Sequence, residues 1–451
     1  MNRNILRFVT AGSVDDGKSS FLGRMLFDSN AVYEDHLREV EKLSTKAKQN
    51  FTDLSLLIDG LESERNQKIT IDAAYRYFST RQRKFIIADS PGHEEYTRNM
   101  AVAASNSDVA VILIDAEKGI RNQSLRHSYI AHLFGIKRFI IAINKMDLVN
   151  YEQDVFEEIK QEFKLRSESF LTNDILEFVP VSALKGDNIV KKSDNMSWYH
   201  GNTILHSLET IDIAESSFSG VRFLVQNVSK FNNKRYLQGK LISGNLGKDQ
   251  KITVYPGQKD AQITEIIHAG EVKDEVVAGN SISVVLNDEI DIERGSIISN
   301  INSNLNNNAE FEANIVWFSA NAFALDDNKE FLLKLNHNII NSQVTKLNYV
   351  LDINNFNKDS KDNFVQNDIA NVTLKLSKKI PFDLFKNSKF SGSFLVIDKV
   401  SNETLACGVI DNTSTNSAQN ILSEEERYKE FMAEVLKLGK KYFNIDIENK
   451  D

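Results

Sequence analysis

Residues 12–19 read Gly12-Ser13-Val14-Asp15-Asp16-Gly17-Lys18-Ser19, and this stretch decides the fold. It fits the pattern Gly-x4-Gly-Lys-[Ser/Thr] of a phosphate-binding loop and lies between an apolar run and a helical pattern. In such a loop, backbone N–H groups converge on phosphate oxygens at a helix start, where the helix dipole favours anions. We expect Lys18 to neutralise the β- and γ-phosphates and the Ser19 hydroxyl to bind Mg²⁺. The stretch therefore predicts a strand, a nucleotide-binding loop and a helix.

Two further segments follow in the order of a guanine-nucleotide site. Apolar residues 85–88 run into Asp89-Ser90-Pro91-Gly92-His93. The carboxylate of this segment suits Mg²⁺ binding through water, and its glycine can donate an N–H to a γ-phosphate. Residues 138–143 run into Asn144-Lys145-Met146-Asp147. A carboxylate only accepts hydrogen bonds, and guanine offers N1–H and N2–H₂ on one edge whereas adenine has an acceptor at N1. Asp147 therefore favours GTP over ATP.

The composition sets the class of protein. The chain has 451 residues, enough for two to four domains, and a formal net charge of −9, which argues against a broad nucleic-acid-binding surface. Its one cysteine, Cys407, excludes an internal disulfide and is predicted to be a buried strand thiol. The N-terminus has no signal-peptide pattern, and the longest apolar runs are too short to span a bilayer. We expect a cytoplasmic protein without a membrane segment.

The nucleotide motifs lie in a region of alternating strands and helices, residues 1–217. This alternation predicts an α/β phosphate-loop domain with a doubly wound, mostly parallel sheet that binds ligands at the carboxyl ends of its strands. The predicted strands are 8–11, 85–88, 109–115, 139–143 and 178–181. The predicted helices are 18–27, 123–134 and 152–165.

The rest of the chain predicts two small β-barrel domains and a helix. Residues 218–300 and 309–412 carry short alternating strands, separated by an asparagine-rich linker. In the tail, residues 413–451, a capping-box pattern at Ser423 begins a helix of about 423–443. Its apolar stripe either packs on the chain's own barrels or docks a partner.

A GTPase with two appended barrels resembles the translation-factor superfamily. Within it, residues 6–410 are similar to the GTPase (large) subunit of bacterial sulfate adenylyltransferase, or ATP sulfurylase. The specific parts are the loop form Gly-Ser-Val-Asp-Asp-Gly-Lys and the strand Tyr75-Arg76-Tyr77-Phe78. The family has a glycine where Lys68 stands, in a segment that must refold between nucleotide states, and a threonine where Ser90 stands.

The resemblance implies a function and its cofactors. GTP and Mg²⁺ would bind to this chain, and GTP hydrolysis would be coupled to formation of adenosine 5′-phosphosulfate and pyrophosphate from ATP and sulfate. That reaction would belong to a smaller catalytic subunit in a heterodimer or a multiple of it, and nucleic acid is not expected as a partner. Two alternatives stay open: an elongation-factor-like GTPase that delivers aminoacyl-tRNA, and a GTP-regulated scaffold without catalysis.

The resemblance also implies roles for single residues. Lys18, the switch I residue Thr70 and the water-positioning residue His93 would be catalytic, and Mg²⁺ would be held by Ser19, Thr70 and Asp89. Gln123 and Arg98 are interpreted as surface polar residues without a role. The predicted nucleotide-binding residues are Gly12, Ser13, Val14, Asp15, Asp16, Gly17, Lys18, Ser19, Ser20, Asp89, Ser90, Pro91, Gly92, His93, Asn144, Lys145, Met146, Asp147, Ser182, Ala183 and Leu184.

Overall fold

The structure is a computed structural model that describes residues 5–31, 54–57, 74–213, 220–232, 234–325 and 329–413. Thr70 and Lys68 lie outside the described residues, as does the predicted helix at 423–443. The described residues form an α/β nucleotide domain, a first barrel and a second barrel, in that order along the chain.

The nucleotide domain is built on a six-stranded sheet of order β2-β3-β1-β4-β5-β6. Every neighbouring pair is parallel except β2 and β3. The predicted mostly parallel sheet is thus confirmed, with one antiparallel edge strand. The strands are β1 (Ile5–Gly12), β2 (Ala74–Ser79), β3 (Lys84–Asp89), β4 (Val109–Asp115), β5 (Arg138–Asn144) and β6 (Ile175–Pro180).

Helices cover both faces of this sheet. Phe8 of β1 packs in one apolar cluster with Phe21, whereas its neighbour Val9 packs in a second cluster with Met100 and Leu125. Successive strand residues point to opposite faces, so β1 needs apolar residues at both positions, and every residue of β4 is buried. The helices are α1 (Lys18–Asp28), α2 (Thr97–Ser105), α3 (Asn122–Leu133), α4 (Gln153–Ser167) and α5 (Ile204–Thr210), with 3₁₀ turns at Leu54–Leu57, Glu94–Tyr96 and Met146–Val149.

The first barrel is a closed antiparallel ring of six strands in the order β10-β15-β7-β8-β14-β11, which pairing of β10 with β11 closes. Closure leaves none of these six with an unpaired edge, and alternate residues fill the interior. The strands of this domain are β7 (Arg222–Phe231), β8 (Lys234–Ser243), β9 (Asn245–Gly247), β10 (Lys251–Tyr255), β11 (Lys259–His268), β12 (Glu271–Lys273), β13 (Glu275–Val277), β14 (Ser281–Leu286) and β15 (Ile297–Asn300).

The second barrel is a ring of six strands in the order β18-β23-β24-β16-β22-β19, closed between β18 and β19. β16 begins at Asn306, inside the predicted linker, because Asn306 pairs with Phe382 of β22. The strands are β16 (Asn306–Trp317), β17 (Phe323–Ala324), β18 (Glu330–Leu335), β19 (Asn338–Leu351), β20 (Lys358–Asp359), β21 (Asn363–Phe364), β22 (Ile369–Phe382), β23 (Ser393–Asp398) and β24 (Thr404–Asn412).

The second barrel packs against both other domains. Phe356 stacks on Tyr129 of α3 with ring centres 5.6 Å apart. On the other side, Arg222 of the first barrel and Asp383 form a fully buried ion pair of 2.7 Å. Cys407 lies buried in β24, as predicted, within the apolar cluster shared with the nucleotide domain. Burial raises the pKa of its thiol, which keeps it protonated and unreactive. None of the helices in the described residues is long and apolar enough to cross a membrane.

Candidate nucleotide site

The predicted motifs meet at one edge of the sheet. The phosphate loop follows β1, the Asp89 segment ends β3, and Asn144 ends β5. Sheet register pairs Thr10 with Asp89 and Asp115 with Asn144, so these carboxyl ends lie level with one another. This edge is where doubly wound sheets bind their ligands.

The backbone of the phosphate loop requires its glycines. Gly12 and Gly17 have φ of +147° and +89°, which side chains rarely allow. A Cβ on Gly17 would lie 2.5 Å from Nδ2 of Asn144, which donates a 2.8 Å hydrogen bond to the carbonyl of Asp16. The base-recognition strand therefore touches the phosphate loop directly, and only glycine permits the contact.

Lys18 is buried at the first position of α1. Its Nζ donates hydrogen bonds of 3.2 Å to the carbonyl of Gly12 and 2.7 Å to that of Ser13. A Cβ on Gly92 would collide with this nitrogen, so the ammonium lies beside the Asp89 segment. Burial lowers the pKa of Lys18, while the Asp16 carboxylate opposes that shift. The carbonyls of the loop thus hold the Lys18 ammonium between two segments that are predicted to contact phosphate.

The oxygen atoms at this edge suit a magnesium ion. Asp89 is fully buried at the end of β3 and accepts a 3.0 Å hydrogen bond from the Thr10 hydroxyl. The Ser90 hydroxyl donates to the Thr10 carbonyl at 2.6 Å, which fixes the chain just after Asp89. Ser19 lies in the first turn of α1. A carboxylate and a hydroxyl are hard oxygen donors, so they fit Mg²⁺.

His93 lies at the rim of the site, with a side chain 46% exposed. It caps the turn Glu94–Tyr96, and its Nδ1 accepts the Glu95 N–H at 3.4 Å. Its catalytic role therefore stays a prediction.

The predicted base-recognition residues are hydrogen-bonded to neighbouring segments. Oδ1 of Asn144 accepts the Ala183 N–H at 2.9 Å, and the Ser182 hydroxyl donates to Asp147 Oδ1 at 2.6 Å. Lys145 has φ +65° and donates to the Asp115 carboxylate at 2.7 Å. The Ser182 hydroxyl thus orients the Asp147 carboxylate by a bond to one of its oxygens.

Arg24 of α1 holds the loop of residues 182–184, which is the third loop of the site. Its guanidinium donates to the carbonyls of Ala183 and Leu184 at 3.3 and 2.6 Å. The Leu184 side chain is 43% exposed beside them. With the carbonyls held by Arg24, the loop has a fixed orientation for contact with a base.

Helix α3 contributes residues that the sequence interpretation missed. Nδ1 of His127 accepts the Gly12 N–H at 3.3 Å, and the Ser124 hydroxyl lies 3.1 Å from that of Ser13. His127 is fully buried, and burial together with the charge on Lys18 lowers its pKa to about 3. The neutral ring is thus an acceptor for the loop. The spacing of 124 and 127, one helical turn apart after β4, indicates that the two share a face of α3, but not that this face meets the phosphate loop.

The interpretation of Gln123 as a surface residue was wrong, whereas Arg98 is partly exposed, as expected, but also contacts the second barrel. Gln123 is buried, with its amide 2.8 Å from Nε2 of His127. Arg98 of α2 reaches the second barrel, where it donates to the Thr404 carbonyl at 2.8 Å and lies over the Phe318 ring. Both side chains face another element of the chain, which the local sequence does not reveal.

Comparison with known proteins identifies the family. The Elongation factor Tu GTP binding domain matches residues 3–232, and the GTP-eEF1A C-terminal domain-like family matches residues 310–411. Sulfate adenylyltransferase subunit 1 of Shewanella woodyi is 39% identical over 445 residues, covering 98% of this chain and 93% of that protein. The chain belongs to the sulfate adenylyltransferase subunit 1 family.

Other members of the sulfate adenylyltransferase subunit 1 family are similar in sequence to this chain over nearly its whole length. The proteins of Francisella tularensis subsp. tularensis (strain WY96-3418) and Aliarcobacter butzleri are 42% and 41% identical over 447 residues, 98% of this chain and 93% and 94% of those proteins. Sup35 complexed with GDP covers 91% of this chain and 94% of that chain, with 20% identity and a TM-score of 0.41, too weak a likeness to bear on function. Membership of the family confirms the resemblance inferred from the motifs.

Proposed function

We propose that this chain is the GTP-hydrolysing subunit of a sulfate adenylyltransferase. It couples GTP hydrolysis to formation of adenosine 5′-phosphosulfate and pyrophosphate by a partner subunit. One observation carries the proposal: in a member of this family, Asn144 bonds both the loop that contains Lys18 and the loop at Ala183 that is predicted to contact guanine. This contact supports base selection and phosphate binding at a single edge of the sheet.

The proposed binding of GTP follows from the chemistry of the two ends of the site. Asp147 accepts the N1–H and N2–H₂ donors of guanine, which favours GTP over ATP. The Lys18 ammonium and the N–H groups at the start of α1 stabilise the phosphates. Since desolvation makes the buried ammonium costly, a phosphate that binds beside it restores a favourable partner.

The proposed hydrolysis depends on position more than on covalent chemistry. Ser19, Asp89 and Thr70 would hold Mg²⁺, which when bound neutralises charge on the β- and γ-phosphate oxygens. The Gly92 N–H would bind the γ-phosphate. His93 would leave its cap on Glu95 and orient the attacking water through a ring nitrogen.

The proposed partner carries the sulfate chemistry. The names of the relatives, subunit 1, imply at least one further subunit. We propose that it is smaller, binds ATP and sulfate, and forms a heterodimer or a multiple of it with this chain in the cytoplasm. On the partner subunit, a sulfate oxygen attacks the α-phosphorus of ATP. The new phosphorus–oxygen bond forms, and the bond from the α-phosphorus to the oxygen of the β-phosphate breaks, which releases pyrophosphate.

The contacts of the Asp89 segment support coupling to the rest of the molecule. The Glu94 carbonyl accepts a 2.9 Å hydrogen bond from Asn367 of the second barrel, and the Glu94 carboxylate lies 3.1 Å from Arg126 of α3. Because Glu94 lies two residues after Gly92, loss of the γ-phosphate would alter the contact of Glu94 with the second barrel. Hydrolysis would thereby change the arrangement of domains that the partner encounters.

Reconstitution tests the proposal. This chain is co-purified with the second subunit, and adenosine phosphosulfate is measured with ATP and sulfate, with and without GTP. We expect GTP to increase product yield and a non-hydrolysable GTP analogue not to do so. Lys18→Ala should lower hydrolysis and coupled yield at least a hundredfold, whereas the exposed Lys192→Ala should resemble the wild type. Equal yield without GTP would contradict coupling, and GTP-dependent retention of aminoacyl-tRNA would favour the elongation-factor alternative.

A further inference from the structure

Asp16 is an acidic residue within a loop that is expected to bind anions. Its side chain is 1% exposed and turns away from the predicted phosphate side, towards α3. Oδ2 accepts the Ser13 N–H at 2.6 Å and lies 3.4 Å from the Ser124 hydroxyl. A Cβ on Gly12 would lie 3.1 Å from the same oxygen. The carboxylate thus fills the space behind the loop and holds its backbone.

The charge of Asp16 acts on the same lysine that is predicted to bind phosphate. Burial raises the pKa of Asp16, and the Lys18 charge is the largest influence that opposes this shift. Burial likewise lowers the pKa of Lys18, and the Asp16 charge is the largest influence that opposes that shift. Both groups are buried, so solvent screens their attraction little. A fixed negative charge in this place also repels a polyphosphate on the other side of the loop.

We propose that Asp16 is a positioning residue with two opposing effects on nucleotide affinity. Its oxygen holds the Ser13 N–H and so keeps the loop in its binding conformation, while its negative charge weakens attraction for the phosphate chain. The inference rests on the proposed guanine-nucleotide site. Its consequence is a site that binds GTP less tightly than its geometry allows, which favours release of nucleotide in each cycle.

Two substitutions separate the two effects. Asp16→Asn retains an oxygen acceptor for the Ser13 N–H and removes the charge. Asp16→Ala removes both. A residue with only a structural role would weaken binding in both variants, whereas the proposal requires GTP to bind more tightly to Asp16→Asn than to wild type and more weakly to Asp16→Ala than to Asp16→Asn.

The experiment measures dissociation constants for GMP, GDP and GTP by calorimetry on the full chain. For Asp16→Asn we expect GTP to bind on the order of tenfold tighter, GDP by less, and GMP within about twofold of wild type, because repulsion grows with phosphate charge. For Asp16→Ala we expect GMP, GDP and GTP all to bind more weakly than to Asp16→Asn. Glu117→Gln removes one exposed negative charge in the turn after β4 and serves as the matched control.

Several results would overturn the inference. GTP binding to Asp16→Asn that equals or falls below wild type rejects the charge effect, and so does a gain that is the same for GMP, GDP and GTP. A gain of the same size in Glu117→Gln would assign it to net charge alone. Asp16→Ser also keeps an oxygen without a charge, and it provides the comparison if the Asn variant does not fold. Wild-type chain that binds no GTP would reject the proposed function instead.

Discussion

At the residue scale, Asn144 connects three predicted motifs. Its amide nitrogen binds the Asp16 carbonyl of the phosphate loop, and its amide oxygen binds the N–H of Ala183. Asn144 is almost fully buried, so both bonds are shielded from water. The side chain of this motif residue therefore links the backbones of two loops.

We predict that Asp147 determines which base the site binds. Asp147→Asn presents an amide in place of a carboxylate, so it can donate to the C2 oxygen of xanthine but no longer accepts both guanine donors. We expect GTP affinity to fall roughly a hundredfold and xanthosine triphosphate affinity to rise. Competition binding with both nucleotides measures this, and the exposed Asp154→Asn is the matched control. Unchanged GTP affinity would refute the base assignment.

Stability should depend on pH through His127. Its pKa of about 3 in the folded chain lies below the ordinary 6.5, so between these values the unfolded chain binds a proton that the folded chain excludes. The free energy of unfolding should therefore fall as pH drops through this window, by up to about 1.4 kcal/mol per pH unit from this residue. His127→Gln should show a shallower slope in denaturant titrations at pH 4 to 7. Parallel slopes for the two proteins would contradict the assignment.

The three nucleotide motifs were predictable from sequence because each needs a particular residue at a strand end. The places of Gln123 and His127 were not. Helical periodicity reports which face of a helix is buried, but not that a polar face meets the backbone of a loop more than a hundred residues away. Asp16 illustrates the same limit, since nothing in its motif shows which way the side chain turns.

At the scale of single elements, the side chains of α3 contact several different parts of the molecule. Asn122 bonds Asn354 of the second barrel at 2.7 Å, Ser124 faces the phosphate loop, Arg126 pairs with Glu94, and Tyr129 stacks on Phe356. A closely packed helix transmits strain between the elements that it contacts. The nucleotide site and the second barrel are therefore connected through one short element.

Arg98 anchors α2 to the second barrel. Arg98→Ala removes the bond to the Thr404 carbonyl and the contact with the Phe318 ring. Because the side chain is 41% exposed, we expect a loss of only about 1 kcal/mol in the free energy of unfolding. We expect Arg98→Ala to affect the rate of GTP hydrolysis more strongly than the free energy of unfolding, because α2, which follows the Asp89 segment, is no longer held by the second barrel.

Arg98→Lys is the matched control, because it keeps the charge but not the planar group that stacks on the ring. Denaturant unfolding and single-turnover hydrolysis of both variants provide the measurements. If Arg98→Ala hydrolysed GTP at the wild-type rate, α2 would not depend on this anchor.

At the scale of the whole molecule, a buried ion pair joins the two barrels. Arg222 reaches Asp383 through two nitrogens and also donates to the Ser299 hydroxyl, and Ser391 donates to the carboxylate. All four side chains are nearly fully buried. The interface is thus held by charge-assisted hydrogen bonds that exclude water.

Asp383→Ala leaves the Arg222 guanidinium buried without its carboxylate. We expect a loss of about 3–5 kcal/mol in the free energy of unfolding and separate unfolding of the two barrels. Scanning calorimetry measures both effects. The double variant Arg222→Met with Asp383→Leu removes both charges and should recover much of the free energy of unfolding. An equal loss of that free energy in the single and double variants would show that side-chain volume, not charge, determines the stability of this interface.

The barrels were predictable as a class because short alternating strands between turns favour closed antiparallel sheets. Their contacts with one another and with the nucleotide domain were not. Arg222 and Asp383 stand 161 positions apart and are polar, so sequence alone gives no reason to bury either. Each of these two residues lies in its own local sequence pattern, and neither pattern indicates a contact between the two domains.

The anchoring of Glu94 and Arg98 by the second barrel has a thermodynamic consequence. If GTP alters the affinity of this chain for any ligand of the second barrel, that ligand must alter the affinity for GTP by the same factor. A twentyfold effect in one direction corresponds to about 1.8 kcal/mol in both. Two titrations performed in opposite order, GTP before the partner subunit and the partner before GTP, must therefore close the same cycle.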